Sequence, residues 1–301
     1  MPNIYDHIQK NKRATAIIIT LFVAIISLIG FTIGEIYDPG YGLFYTGIAL
    51  IFSGVSGFVS FYNSDKIVLR ISQAHKVSYE DNPELHNLVD NMCIASGLPK
   101  PDIYVIFDTA MNAFATGRDP EHGVLCFTTG IINKLEKREL EGVIAHELSH
   151  IQNYDIRLMS IVSILVGTVT LMADWFTRGS LYGGGRKRSS SGSGGSQLSG
   201  IIFLVGVFFL ILSPIIATLI KLAVSRKREY LADSSAAMMT RYPQGLANAL
   251  KKLAVDNEIL EAANGATAHM YIKNPIRRKF FANLFNTHPP IEDRIQRLET
   301  M

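Results

Sequence analysis

The sequence contains little cysteine and little net charge, and each shortage excludes a class of protein. Cys93 and Cys126 are the two cysteines among 301 residues. Their number and spacing match neither a disulfide framework nor a cysteine metal site, and they fit a reducing compartment. The formal net charge is +3, and no basic stripe is interleaved with aromatic side chains. We therefore expect no nucleic-acid partner.

Apolar sequence, by contrast, is abundant. Hydrophobic residues make up 48% of the chain and the mean hydropathy is positive, which is high for a soluble protein. After a polar tail at residues 1–13, residues 14–34 and 41–62 form uncharged runs, each long enough for a transmembrane helix. The first run is longer than the apolar core of a signal peptide and lacks a convincing cleavage site, which favours an uncleaved anchor. The two runs are predicted to form a membrane hairpin.

Basic residues predict the orientation of this hairpin. They lie before the first run and after the second, whereas the short connection has none, so both ends are expected in the cytoplasm. These residues are Lys10, Lys12, Arg13, Lys66 and Arg70. The expected location is the cell membrane, or the inner membrane of a Gram-negative cell.

Two later apolar runs, residues 158–177 and 198–220, are predicted to be transmembrane or re-entrant helices. A Gly/Ser-rich loop, residues 178–197, lies between them. If both runs span, the basic residues of this loop contradict the positive-inside rule, so the two alternatives stay open. These basic residues are Arg178, Arg186, Lys187 and Arg188.

Residues 65–155 and 225–301 read as soluble sequence and are together long enough to bury one core. A helix is predicted to begin at Asn82-Pro83 and to end at Gly97. Strands are predicted at 103–107, 111–117 and 124–128. The middle strand has the weak amphipathicity of an edge strand, which could bind an extended peptide backbone. From spacing alone, a plain hairpin strand is the favoured interpretation.

The motif on which the rest depends is H-E-x-x-H at residues 146–150. On a helix, His146 and His150 project from one face and can take two corners of a tetrahedral zinc site. Glu147 would lie beside the open position, where it can take a proton from the attacking water and pass it to the leaving amine. A chance match of three fixed residues is the alternative, and the flanking sequence must decide between them.

The flanks favour a helix. Apolar residues recur at spacings of three and four, and no Gly or Pro interrupts the run from Asn133 to Glu141. Gly142 then lies where a second backbone could approach closely. The periodic apolar residues are Leu140, Val143, Ile144, Leu148 and Ile151.

Zinc needs a third protein ligand. A metzincin would have a histidine and a glycine where this chain has Ile156 and Asn153. Glu229 fits best, because Asp233 lies four residues later on the same helical face and could accept the free N–H of a ligating histidine. Small Ala232 would let two helices approach closely.

Two alternatives to this third ligand stay open. Glu258 and Glu261 are rival glutamates, although neither is followed four residues later by an aspartate. The acidic pair Glu229 and Asp233 could also be solvated, balancing the basic residues 226–228 on a helix surface.

The order of these features along the chain resembles that of the HtpX family of membrane zinc peptidases. The resemblance implies one Zn²⁺ per subunit bound by His146, His150 and Glu229, with Glu147 as the catalytic base. It also implies that Asn112, Ala113 and Phe114 belong to a substrate-side strand, in place of the plain hairpin strand. The features that resemble the family are the first two apolar runs, His146-Glu147-Leu148-Ser149-His150 with Asn153 and Asp155, the two later runs, Asn112-Ala113-Phe114-Ala115, Glu229-Tyr230-Leu231-Ala232-Asp233, and Thr287-His288-Pro289-Pro290 with Arg294. The long Gly/Ser loop departs from the family.

His288 has two interpretations. The resemblance would put its loop near the metal, where the imidazole could donate to the oxyanion or mask the zinc. It could instead cap a helix over residues 291–298.

These features predict a mostly α fold with a small β-sheet (α+β), in which multi-pass membrane helices carry a zincin-like cytoplasmic metalloprotease domain. The resemblance implies a zinc metalloendopeptidase of protein quality control and the stress response, with the lipid bilayer and unfolded or damaged membrane proteins as partners. A prenyl-protein C-terminal protease is the first alternative, but four apolar runs argue against the larger membrane chamber it would need. An inactive zinc-binding membrane scaffold is the second, and the presence of Glu147 argues against it.

Overall fold

The structure is a computed structural model that describes residues 4–167, 225–263, 266–275 and 289–301. The predicted loop at 178–197, the apolar run at 198–220 and His288 lie outside these residues. The predicted helix at 158–177 is described as far as residue 167.

The chain begins with two long helices that pack against each other, α1 (Ile4–Tyr37) and α2 (Gly42–Tyr62). Both are long and apolar enough to cross a membrane. Large apolar side chains cover the outside of the pair, and Leu43 and Phe52 are 79% and 71% exposed. Such a surface is unusual in water and normal against lipid. The helix starts at Ile4, so most of the predicted polar tail extends α1.

A four-stranded mixed sheet lies within residues 65–155. Its strands are β1 (His75–Lys76), β2 (Asp102–Ile106), β3 (Ala113–Gly117) and β4 (Gly123–Thr128), in the order β1-β2-β4-β3. β2 runs parallel to β4, and the other two pairs are antiparallel. The three predicted strands are confirmed to within two residues, and β3 lies at one edge of the sheet.

Local signals set the ends of α4 (Pro83–Ser96), as predicted. The Asn82 side chain accepts a hydrogen bond from the Leu85 backbone N–H at 3.0 Å, which satisfies one of the free donors at the helix start. Gly97 ends the helix in the left-handed region, with φ of 69°. A short helix, α3 (Ser64–Ile71), precedes this part of the fold.

Although no Gly or Pro interrupts the run from Asn133 to Glu141, this run is not one continuous helix. Two helices, α5 (Thr129–Lys134) and α6 (Lys137–Gln152), are separated by residues 135–136 in extended conformation. Glu136 caps α6, and its backbone N–H donates to the Glu139 side chain at 2.8 Å. This reciprocal capping box favours a new helix start over continuation.

Helices from residues 65–155 and from residues 225–301 enclose one core. The chain continues through α7 (residues 155–167), and the later helices are α8 (Arg226–Thr240), α9 (Pro243–Val255) and α10 (Ile291–Glu299). The core lies between the sheet and helices α4, α6, α8 and α9, with Phe127, Leu148 and Leu250 fully buried. The prediction of a mostly helical fold with a small sheet is confirmed.

Gly142 allows α6 and α9 to touch at the backbone, which confirms the close approach predicted for it. A Cβ at Gly142 would lie 2.7 Å from the backbone nitrogen of Leu246, closer than such atoms normally approach. The two helices could not keep this spacing with any side chain at residue 142.

We expect Gly142→Ala to destabilise the protein by about 1–3 kcal/mol, because the added methyl group must push α9 away from α6. The measurement is thermal unfolding of the purified protein in detergent. Gly47→Ala is a matched control in α2, since a Cβ there meets open space. Alanine at Gly47 should be neutral or stabilising, and an equal loss in both variants would contradict the close-contact argument.

Candidate metal centre

Helix α6 presents the H-E-x-x-H motif to the protein interior. His146, Glu147 and His150 are all buried, because the apolar stripe of α6 packs into the core on the adjoining face. α8 packs across this part of α6 and brings in Glu229, which is buried as well. Ala232, three residues after Glu229 on α8, is buried too.

Three side chains converge on one point. The two Nε2 atoms of His146 and His150 lie 3.3 Å apart. The carboxylate of Glu229 lies 3.7 Å from each of these nitrogens. Donor atoms about 2.0–2.1 Å from a tetrahedral zinc would lie roughly 3.3–3.4 Å from one another. The observed spacing therefore fits a zinc site with little adjustment, and the donor set, two imidazoles and a carboxylate, suits that metal.

A carboxylate contacts the Nδ1 atom of each histidine ring, on the side away from the cluster. Asp233 Oδ1 lies 3.0 Å from His146 Nδ1, and Asp155 Oδ2 lies 3.0 Å from His150 Nδ1. An ionised carboxylate only accepts, so each Nδ1 donates its hydrogen, and Nε2 is the ring nitrogen that faces the cluster and is available to a metal. This is the arrangement that prepares a histidine to bind a metal.

Arg294 links α10 to the same cluster. Its buried guanidinium donates two hydrogen bonds to the Asp233 carboxylate, at 2.9 and 2.7 Å. Another of its nitrogens lies 3.3 Å from Glu229 Oε2. Such a two-pronged contact fixes a carboxylate more firmly than a single bond. Arg294 therefore sets the positions of Asp233 and Glu229 together.

Burial and charge shift the pKa values of the cluster in different directions. Burial raises the pKa of Glu147 above its ordinary value, which favours a group that can hold a proton. Burial alone would lower the pKa of His150, but the hydrogen bond to Asp155 and the nearby carboxylates raise it to about 9. Burial alone would raise the pKa of Asp233, but the contacts with Arg294 and His146 outweigh burial and lower this pKa. Because the pKa of His150 is raised, its imidazole must lose a proton before it can bind a metal.

The rival third ligands lie elsewhere. Glu258 is exposed and pairs with Lys134 at 2.9 Å. Glu261 is exposed too. Within the described residues, the group of three metal-binding side chains is His146, His150 and Glu229. Glu229 and Asp233 also do not form the solvated pair of the alternative interpretation, since both are buried.

The segment predicted to bind substrate is partly covered. The carbonyl of Ala113, on the outer edge of β3, accepts a hydrogen bond from the Ile272 backbone N–H at 3.0 Å. The Asn112 side chain donates to the Lys273 carbonyl at 2.9 Å and accepts from the Lys273 N–H at 3.2 Å. The Phe114 ring packs edge-on against Tyr271. Residues 271–273 therefore occupy this end of the strand edge.

The role of Asp155 could not be derived from spacing. Asp155 lies five positions after His150, so one continuous helix would not bring the two together. The chain instead turns at Tyr154, which has a left-handed φ of 59°, and Asp155 then faces back towards His150. Asp155 belongs to the sequence features that resemble HtpX, but no local pattern gave it a function. Arg294 is likewise one of the features that resemble HtpX, and no local pattern assigned it a role.

The chain is similar over most of its length to known proteases. Residues 79–301 match Peptidase family M48. A protease HtpX homolog of Dictyoglomus thermophilum is 43% identical over 300 residues, which cover 99% of this chain and 94% of that one. The protease HtpX homolog of Tropheryma whipplei strain Twist is 42% identical over 99% of this chain and 98% of its own. That of Lactobacillus helveticus is 40% identical over 99% of this chain and the whole of its own.

A solved structure shows the same fold. The crystal structure of S. mikatae Ste24p superimposes with a TM-score of 0.51 at 20% sequence identity. The match covers 94% of this chain and 65% of that one. At this identity the likeness concerns the fold and does not extend to the substrate.

Proposed function

This chain belongs to peptidase family M48, with HtpX homologues among its relatives, and from that membership we propose that it is a membrane-anchored zinc metalloendopeptidase. The observation that supports this most strongly is the buried cluster of His146, His150 and Glu229, with Glu147 beside it. A structural zinc site needs no base, so Glu147 favours an enzyme over an inactive scaffold.

Each residue of the cluster has one task in the proposed reaction. His146, His150 and Glu229 would hold the zinc, while Asp233 and Asp155 keep the two imidazoles in the binding tautomer. Zinc, when bound, lowers the pKa of a water molecule and polarises the carbonyl of the peptide. Glu147 takes the proton from the attacking water and delivers it to the amine that leaves. Its raised pKa suits this exchange, because it brings the carboxyl closer to working pH.

The substrate is proposed to bind as an extended strand at the edge of β3, near Asn112, Ala113 and Phe114. Backbone pairing would hold many sequences without reading each side chain, which suits a protease that acts on unfolded protein. Ala113 already accepts a hydrogen bond from Ile272. A substrate that uses the carbonyl of Ala113 would have to displace residues 271–273.

The helices α1 and α2 support a membrane location, and the proposed role is removal of unfolded or damaged membrane proteins in quality control and the stress response. A prenyl-protein protease remains the alternative. It would use the same metal chemistry on lipidated C-termini.

A single assay separates these functions. Purified full-length protein is incubated with an unfolded membrane protein and, separately, with a prenylated and an unprenylated peptide of the same sequence. We expect cleavage of the unfolded protein that a chelator stops and zinc restores. Preference for the prenylated peptide, with no cleavage of the unfolded protein, would favour the alternative. Zinc binding without any cleavage would favour the scaffold.

The proposed topology places the peptidase domain in the cytoplasm. We expect Ser78→Cys to resist an impermeant thiol reagent in intact cells and to react after lysis, because Ser78 is exposed on the domain surface. Tyr41→Cys, in the turn between α1 and α2, should label in intact cells. Cys93 and Cys126 are buried and give little background. The reverse labelling pattern would contradict the orientation.

A further inference from the structure

The first helix makes a buried polar contact with the turn that follows α6. Asn11, on α1, is 3% exposed. Its Nδ2 donates to Asp155 Oδ1 at 2.6 Å and to the carbonyl of Asn153 at 2.9 Å. A buried amide that makes two hydrogen bonds to residues more than 140 positions away is a specific contact, since chance packing would leave its donors unpaired.

The chemistry of the partners fixes the orientation of this amide. A carboxylate oxygen and a backbone carbonyl only accept hydrogen bonds, so the NH₂ group of Asn11 must face them. The other oxygen of Asp155 holds His150 Nδ1 at 3.0 Å. A continuous series of hydrogen bonds therefore runs from the first helix, through Asp155, to a residue of the metal cluster.

Neighbouring residues on α1 show that this contact is part of a docked surface. Thr15 and Ile18 lie four and seven residues after Asn11, on the same helical face, and both are buried. Ile18 belongs to an apolar cluster that includes Leu158 and Val162 of α7. Lys12 lies over the ring of Tyr154, at 4.4 Å from its centre. The cytoplasmic end proposed for α1 is thus held against the turn that carries Asp155.

We propose that Asn11 is a positioning residue of the metal centre, acting through Asp155 on His150, so that the membrane anchor forms part of the site. This inference rests on the proposed zinc function. Asp155 Oδ1 has a second partner, the Arg228 guanidinium at 3.3 Å. Arg228 supplies charge, whereas Asn11 also ties Asp155 to the Asn153 backbone and fixes the direction of its carboxylate. Loss of the amide leaves this carboxylate free to turn, and the His150 ring turns with it.

The test measures metal binding by the full-length protein in detergent. Zinc affinity is obtained by competition with a chelator, and the geometry is followed in the visible spectrum of the cobalt(II)-substituted protein. Substitution of a residue that orients a metal ligand typically weakens metal affinity ~10- to 100-fold. We expect Asn11→Ala to weaken zinc binding by roughly tenfold, at the lower end of that range, and to shift the cobalt spectrum.

Two controls separate positioning from docking. Gln9→Ala removes an exposed amide from the same helix and should change neither measurement. Ile18→Ala loosens the apolar docking but keeps the amide, so it should lower thermal stability and leave the cobalt spectrum as in wild type. If Asn11→Ala does not fold, Asn11→Leu, which fills similar space but has no donor, is judged by the same criteria.

The outcomes are distinct. A wild-type protein that binds no zinc would overturn the metal site and this inference together. Normal zinc affinity and an unchanged cobalt spectrum in Asn11→Ala, with zinc-binding wild type, would overturn the inference alone. Equal spectral shifts in Asn11→Ala and Ile18→Ala would overturn it too, because docking would then account for the effect.

Discussion

Replacement of Glu147 by glutamine is expected to stop peptide hydrolysis while zinc stays bound. The side chain keeps its shape, but an amide cannot take a proton from the attacking water. Loss of a general base typically costs ~10²- to 10⁴-fold in rate. Glu147 is not one of the three clustered ligand residues, so the metal donors are unchanged.

The surroundings of Glu147 favour a folded variant. The carboxylate is buried near Glu229, and these like charges oppose each other. Glutamine removes the cost of burying a charge and the repulsion from Glu229, although it also removes the attraction to His146, His150 and Arg294. Glu147→Gln should therefore fold and bind zinc, which circular dichroism and metal analysis can verify.

The matched control for this experiment is Glu258→Gln. Glu258 is exposed and pairs with Lys134 on the surface, a contact that contributes little to stability. Its removal should leave kcat/KM unchanged within error. Near-wild-type turnover by Glu147→Gln would refute the proposed mechanism.

Parts of the fold with local causes were predictable from sequence. The start of α4 depends on Asn82 and its end on Gly97, and both signals act within one helical turn. The shared face of His146 and His150 follows from their spacing. The close contact at Gly142 was predictable because a glycine inside a periodic helix weakens that helix and is usually kept for packing.

Parts that depend on distant partners were not predictable. Asn11 is one amide beside a long apolar run, and nothing nearby shows that it meets Asp155. Arg294 reaches Asp233 across 61 positions of the chain. The break at residues 135–136 differs, because its cause is local. The capping box of Glu136 and Glu139 starts a new helix without any glycine or proline, so the absence of those two residues does not guarantee a continuous helix.

The second large effect concerns the third ligand. We expect Glu229→Gln to lose most zinc affinity and activity, because it removes the only carboxylate in the donor cluster of the described residues. An amide oxygen carries no charge and is a poorer zinc ligand. Asp155→Asn and Asp233→Asn keep all three donors and only loosen a histidine ring. Such changes typically weaken metal binding or activity ~10- to 100-fold.

The two aspartates are not equivalent controls. Asp233 also holds the fully buried Arg294, and breaking a buried ion pair typically costs about 3–5 kcal/mol. Asp155 faces Arg228, which is less deeply buried. Asp155→Asn should therefore keep more thermal stability than Asp233→Asn, and it is the cleaner comparison with Glu229→Gln.

A zinc titration distinguishes a ligand from a residue that orients one. Excess zinc should restore much of the activity of Asp155→Asn, because its donor set is complete and only its affinity is reduced. The same zinc should restore little activity to Glu229→Gln, whose donor set is altered. Bound zinc and peptidase rate are measured together across the titration. Normal zinc binding by Glu229→Gln, with loss of zinc on substitution of Glu258 or Glu261, would mean that the third ligand lies outside α8 and that the buried cluster serves another purpose.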